Sequence, residues 1–170
     1  SNASVGVMDT IEFNIPGDGP HTIQPVSALP TVTDPADING YSQPGSSANS
    51  NALDQGLNTV LQIELDGTNV GADIDGIRIG GGGSGSTVRG LAINRFTRYG
   101  IFLDNSSSNS IQGNFLGTDP AGQTSLPNAA DGLQLQSGAN NLIGGSTPEA
   151  ANLVSGNTLN GLVIVAGITE

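Results

Sequence analysis

Cysteine is absent from the 170 residues, which excludes a disulfide scaffold and a thiolate metal site. Lysine is absent as well. The cations are Arg78, Arg89, Arg95 and Arg98, with His21 the one histidine. Fifteen carboxylates against four arginines leave a net charge of −11. A chain of that charge is expected to repel nucleic acid and anionic lipid. Tryptophan is missing, and charged residues make up only 11% of the chain. No run of about 18 apolar residues occurs, so no membrane insertion is expected. High net charge with few apolar residues can signal disorder. Here the Ile, Leu and Val residues are strongly patterned, which argues against it.

What is abundant is Gly, at 26 residues, together with Asn, Ser, Thr and Asp. This composition suits a bacterial exported repeat protein, extracellular or at the cell surface. Ser1-Asn2-Ala3 reads as the scar of a removed expression tag. Residues 161–168 are still strand-like, so the last repeat is expected to be cut through and the chain to be a segment of a longer protein.

Two phrases alternate along the chain. In the first, Gly precedes two branched residues that flank a variable one: Asp75-Gly-Ile-Arg-Ile79, Tyr99-Gly-Ile-Phe-Leu103, Asp131-Gly-Leu-Gln-Leu135 and Asn160-Gly-Leu-Val-Ile164. The second is Val88-Arg-Gly-Leu-Ala-Ile93, Ile111-Gln-Gly-Asn-Phe-Leu116 and Val154-Ser-Gly-Asn-Thr-Leu159. Val88 and Ile111 are 23 positions apart, Gly76 and Gly100 are 24, and later repeats lengthen through insertions at 118–130 and 146–151. Apolar runs of three or four residues that alternate in and out have strand periodicity. Gly and Asn between them supply corners. One such repeat cannot bury its apolar side alone, but stacked on its neighbours at about 4.8 Å it can. Leucine-rich repeats would need a helical half, and propeller blades about 40 residues.

The pattern therefore predicts an all-β, right-handed, single-stranded parallel β-helix of about 23 residues per coil with loop insertions. Inward columns should run Ile77, Ile101, Leu133, Leu162 and Val88, Ile111, Val154. Asn114 and Asn157 should share one corner, which Leu91 fills in the preceding coil. Residues 4–58 should be N-terminal capping strands and loops, and 59–170 the coils. Within the cap, 9–15 reads as a strand with Ile11, Phe13 and Ile15 inward. Residues 21–24 and 37–39 should complete a first coil, 44–58 form a polar loop, and 58–65 a strand with Leu61, Ile63 and Leu65 inward.

Several of these stretches resemble a known family. Asp9-Thr-Ile-Glu-Phe-Asn-Ile-Pro-Gly17, Ile38-Asn-Gly-Tyr-Ser-Gln-Pro-Gly45, Ile63-Glu-Leu-Asp-Gly67, Gly113-Asn-Phe-Leu-Gly-Thr-Asp119 and Asn152-Leu-Val-Ser-Gly-Asn157 look like the parallel β-helix (PbH1) repeat region of large bacterial surface or secreted proteins, within the pectate-lyase-like superfamily. The resemblance implies a fold. Because that superfamily includes polysaccharide lyases and hydrolases alongside uncharacterised members, it leaves function open.

The sequence carries no recognisable catalytic residue. Arg78 and Arg89 are candidates for binding an acidic sugar; the plainer expectation is that all four arginines pair with carboxylates. Phe102 and Phe115 alternate outward and are candidates for an exposed ledge, unless the 118–130 insertion covers them. Asp66, Asp73 and Asp75 lie in one Gly-rich stretch and are candidates for a weak Ca²⁺ site, although the EF-hand spacing is absent. Asp75 and Asp131, two coils apart at about 9.6 Å, approach the spacing of an inverting glycosidase, but a turn role explains them better. Gly80 to Gly83 lack the Lys-Ser/Thr of a phosphate loop, and Tyr41 and Tyr99 receive no role. The expected function is a non-enzymatic structural, adhesive or carbohydrate-contacting module. Its partner would be polysaccharide or another surface protein, with self-association through the open end. The alternative is a lyase or hydrolase of acidic polysaccharide, or a fragment of one.

Overall fold

The computed structural model describes residues 8–52 and 54–165. Short strands carry the architecture. They are β1 (Asp9–Glu12), β2 (His21–Ile23), β3 (Ala36–Asn39), β4 (Ile63–Asp66), β5 (Ile77–Gly80), β6 (Thr87–Arg89) and β7 (Ala92–Asn94). There follow β8 (Ile101–Asp104), β9 (Ser110–Gln112), β10 (Phe115–Leu116), β11 (Leu133–Gln136), β12 (Leu142–Ile143), β13 (Leu153–Val154) and β14 (Leu162–Val165). All of their pairings are parallel, and they build three sheets. Sheet A runs β1-β3-β6-β9-β12, sheet B β2-β4-β7-β10-β13 and sheet C β5-β8-β11-β14. From β3 onward the chain visits A, B and C in turn and returns beside its starting point; one such passage is here termed a circuit. Val32 bridges Ile79 in parallel and places the first circuit next to sheet C.

The first inward column follows the expected register. Ile77 lies opposite Ile101, Ile101 opposite Leu133, and Leu133 opposite Leu162. The second column holds for Val88 and Ile111 but continues to Ile143, because Val154 belongs to sheet B opposite Leu116. The phrase around Val154 imitates the earlier ones, since a Gly-Asn pair also suits the next corner. Ile63, Ile79, Ile93, Ile101, Leu103 and Leu116 are fully buried in one core. Each such side chain contributes about 1.5–3 kcal/mol of burial free energy.

The N-terminal expectations need three corrections. Ile11 is 46% exposed, because β1 ends sheet A and no strand among the described residues covers its far side; Phe13 and Ile15 only partly enter the core. His21–Ile23 and Ala36–Asn39 belong to successive circuits: β2 pairs with β4, while β3 lies on β1. Leu61 precedes β4 and packs in a separate cluster with Ala92 and Phe115 on the outside of sheet B, whereas Ile63 and Leu65 face the core.

The corners hold the circuits together, and asparagine does so in one repeated way. At the entry to sheet A, Ser86 N–H donates to Asn109 Oδ1 and Asn109 N–H to Asn141 Oδ1. Between sheets A and B, Leu91 N–H donates to Asn114 Oδ1 and Asn114 N–H to Asn152 Oδ1. Between B and C, Phe96 N–H donates to Asn128 Oδ1 and Asn128 N–H to Asn157 Oδ1. Most of these amides also donate backward, as Asn114 Nδ2 to Val88 O, Asn128 Nδ2 to Ile93 O and Asn157 Nδ2 to Leu116 O, whereas Asn109 Nδ2 donates to Ser106 Oγ and forward to Asn141 Oδ1. Asn114 therefore stacks with Asn152, and Asn157 with Asn128, so the expected pairing of Asn114 with Asn157 is corrected. Leu91 does occupy the earlier place.

Candidate functional site

On the outer face of sheet C, Arg78 lies opposite Phe102 and Phe102 opposite Gln134. The Arg78 guanidinium sits 5.2 Å from the centre of the Phe102 ring. From the preceding turn, Arg98 lies 5.0 Å from that ring and 4.5 Å from the Tyr99 ring. The two rings are 5.3 Å apart and tilted by 47°. Arg78 is ion-paired with Asp104, and Arg98 approaches Asp75 at 3.6 Å. Two cations, two aromatic rings and two carboxylates thus share one patch. Such cation–π contacts contribute about 0.5–1 kcal/mol each at an exposed site.

Asp75 is the chemically unusual member. Burial raises its carboxyl above the ordinary value; Arg98, the Tyr99 N–H and Arg78 pull the other way, and Asp104 adds to the rise. Its turn position recurs as Tyr99, Asp131 and Asn160, since Gly76 N–H donates to Tyr99 O, Gly100 N–H to Asp131 O and Gly132 N–H to Asn160 O. Tyr99 therefore stands between Asp75 and Asp131 in this column. Asp131 Oδ1 accepts from both Asn160 N–H and Asn160 Nδ2 at 2.9 Å. The two carboxylates are engaged separately, which favours the turn role over an acid–base pair.

The other candidate residues are dispersed. Arg89 lies in sheet A and pairs with Asp37 at 2.8 Å, away from Arg78. Arg95 pairs with Asp66 at 2.8 Å, so each of the four arginines has a carboxylate partner, as the charge imbalance led one to expect. Phe102 and Phe115 are each only 2% exposed and form no ledge. Arg78, Arg98 and Tyr99 contact Phe102, while Phe115 packs with Leu61, Ala92 and Leu153 and lies against Gly122 of the 118–130 insertion.

Nor do Asp66, Asp73 and Asp75 converge. Asp66 accepts from Thr68, Gln24 and Arg95, whereas Asp73 is exposed in a left-handed turn at φ 57°. Among the described residues no group of three His, Asp or Glu side chains is arranged to hold a metal. Burial pushes the Asp66 carboxyl up, but hydrogen bonds from Thr68 and Gln24, aided by Arg95, outweigh this and hold it below its ordinary value.

The sequence reading missed a polar staple outside sheet B. Thr22 donates to Glu64 at 2.6 Å, Asn94 to Glu64 at 2.9 Å and to Thr118 O at 2.9 Å, and Gln24 to Asp66 at 2.7 Å. Glu64, Asp66 and Asn94 are all buried there. The outward alternation of Glu64 and Asp66 around Leu65 was the available signal. Tyr99 was missed too, because a lone aromatic in a turn has no periodic partner. Among the described residues no helix is long and apolar enough to cross a membrane. Comparison with protein-family models, curated proteins and solved structures yields no match.

Proposed function

We propose that the three parallel sheets form a right-handed, single-stranded parallel β-helix of the pectate-lyase-like kind, and that it serves as a non-enzymatic module of an exported bacterial protein, extracellular or at the cell surface. One observation supports this most: the buried polar side chains are spent on bonding one circuit to the next. Asn109, Asn114 and Asn128 bond the circuits before and after them, and Thr22, Glu64 and Asn94 do the same outside sheet B. Chemistry directed along the axis suits a stiff spacer or adhesive stalk. The patch of Arg78, Arg98 and Tyr99, backed by the buried Phe102, is its contact face for acidic polysaccharide or for another surface protein. A sugar carboxylate would compete there with Asp104 and Asp75 for the guanidinium groups. Nucleic acid and membrane insertion are not part of this reading.

A second reading, a lyase or hydrolase of acidic polysaccharide, draws on the raised Asp75 carboxyl beside two arginines. A panel of uronate-containing polysaccharides separates the two. The structural reading expects no unsaturated product by absorbance and no new reducing ends. It also expects retention on an immobilised acidic glycan that weakens in Arg78→Ala and Arg98→Ala. Product formation that disappears in Asp75→Asn would establish the enzyme instead. Weak Ca²⁺ binding by Asp66, Asp73 or Asp75 belongs to the same proposal; a melting temperature unmoved by millimolar Ca²⁺ removes it.

A further inference from the structure

The two ends of the stack match each other. In the last circuit, Asn141, Asn152 and Asn157 direct their side chains back to the circuit before, through bonds to Ser106 O, Ile111 O and Leu116 O. In the earlier circuits, the corner N–H groups of Ser86, Leu91, Phe96, Asn109, Asn114 and Asn128 are each taken by an amide oxygen from the following circuit, and that of Ala36 by the Ser86 hydroxyl. The N–H groups of Asn141, Asn152 and Asn157 have no such acceptor among the described residues. Among the described residues, strands β12, β13 and β14 are likewise paired on one side only. Leu142, Leu162 and Ile164 are exposed around them, Ile164 at 64%.

The first circuit supplies what this edge lacks. Asp9 heads the column that continues through Ala36, since Asp9 lies opposite Ala36. Ser86, Asn109 and Asn141 follow in that column, because Asp37 lies opposite Thr87, Thr87 opposite Ser110, and Ser110 opposite Leu142. Asn14 stands three residues after Ile11, as Asn114 stands three after Ile111. Asp9 and Asn14 are exposed, and neither side chain is hydrogen-bonded among the described residues. They are carbonyl-type acceptors at the two corners where the far end offers free N–H groups. The apolar columns match too. Continuing the parallel register would set Ile11 after Ile143, Ile23 after Val154 and Val32 after Ile164. Beside Ile11 lies an apolar cavity of about 310 Å³ lined also by Phe13, Ile23 and Leu29. The third corner is unmatched, because Val26 stands where an acceptor would be needed.

We propose that the end formed by β12, β13 and β14 docks the β1–β2 end of a second copy of this chain, head to tail. The contact extends all three sheets in parallel, with Asp9 and Asn14 accepting from Asn141 and Asn152. It rests on strand register and not on the functional reading, so either can fail alone. Such a contact uses different patches on the two copies and does not close on itself, so it adds further copies as concentration rises.

Sedimentation velocity on the whole chain, from micromolar to millimolar, tests it with Ile11→Lys, Ile164→Lys and their equimolar mixture; circular dichroism checks folding. The expected mass of the parent chain climbs past the dimer without a plateau. Each variant alone stays monomeric, and the mixture reaches a dimer and stops, because each partner keeps one competent end. Asn14→Arg serves as the second N-terminal variant if Ile11→Lys does not fold. A parent chain that remains monomeric throughout overturns the proposal. So does an Ile11→Lys protein that is folded and still associates, which would mean that like ends meet.

Discussion

A single side chain, asparagine at a corner, does the work that a longer strand would do elsewhere. Asn128 is fully buried, takes the N–H of Phe96 on its oxygen, and donates to Ile93 O and to Asn157 Oδ1. Strands of two to four residues leave many backbone groups unpaired at the corners, and an amide carries both a donor and an acceptor to meet them. Removing it strands several groups at once, at about 1–3 kcal/mol for each buried orphan. Asn128→Ala should therefore lose about 3 kcal/mol or more of stability, measured by denaturant unfolding. A loss within the scatter of a surface substitution would show that water replaces the amide. The same residue type was visible in the sequence at every one of these corners. Which two asparagines stack was not, because the insertions between them differ in length.

At the scale of the element, the two recurring glycine phrases have different causes. Gly90 and Gly113 sit at φ 72° and 64°, where a corner needs the left-handed backbone that glycine adopts freely. Gly100 has no such φ. It is needed for space, because a Cβ there would lie 2.6 Å from Gly132 O of the next circuit. At Gly161, in the last circuit, the nearest atom to an added Cβ is Val154 Cγ1 at 3.4 Å. Gly100→Ala should thus cost about 1–3 kcal/mol through overpacking. Gly161→Ala, the same change at the same place in the phrase, should be close to neutral. Thermal melts of the pair decide it, and equal losses would mean that the glycines are there for backbone freedom after all.

Across the whole molecule, charge is arranged so that the few cations are spent locally. All four arginines meet carboxylates, while the buried Glu64 and Asp131 are held by hydrogen bonds from Thr22, Asn94 and Asn160. Acid sensitivity then depends on individual sites. Asp66 and Asp119 both have carboxyls held below the ordinary value of 3.8; for each, burial raises the value but hydrogen bonds, from Thr68 and Gln24 or from Thr124 and Gln123, prevail. A carboxylate lowered in the folded state adds stability above its unfolded value and loses it as pH falls through the folded one. Asp75, raised chiefly by burial, has the opposite slope: its contribution declines as pH rises from 3.8 through its folded value. Asp66→Asn should therefore be less stable than the parent at neutral pH and lose less on acidification below 3.8, followed by denaturant titration across pH. An unchanged acid limb would mean that Asp66 is not among the groups that set it.

Much of this molecule could be read from residue order alone. Alternating branched residues in a recurring Gly-led phrase established the strands and placed Ile77, Ile101, Leu133 and Leu162 in one column, because alternation is a local property of the chain. The excess of carboxylates foretold that the arginines would be paired. Three-dimensional packing was needed to move Val154 into sheet B, to stack Asn114 on Asn152, to put Arg78 and Arg89 on different sheets, and to bury both Phe102 and Phe115. Those facts depend on how insertions of unequal length fold back, and contacts between residues dozens of positions apart leave no period in the chain.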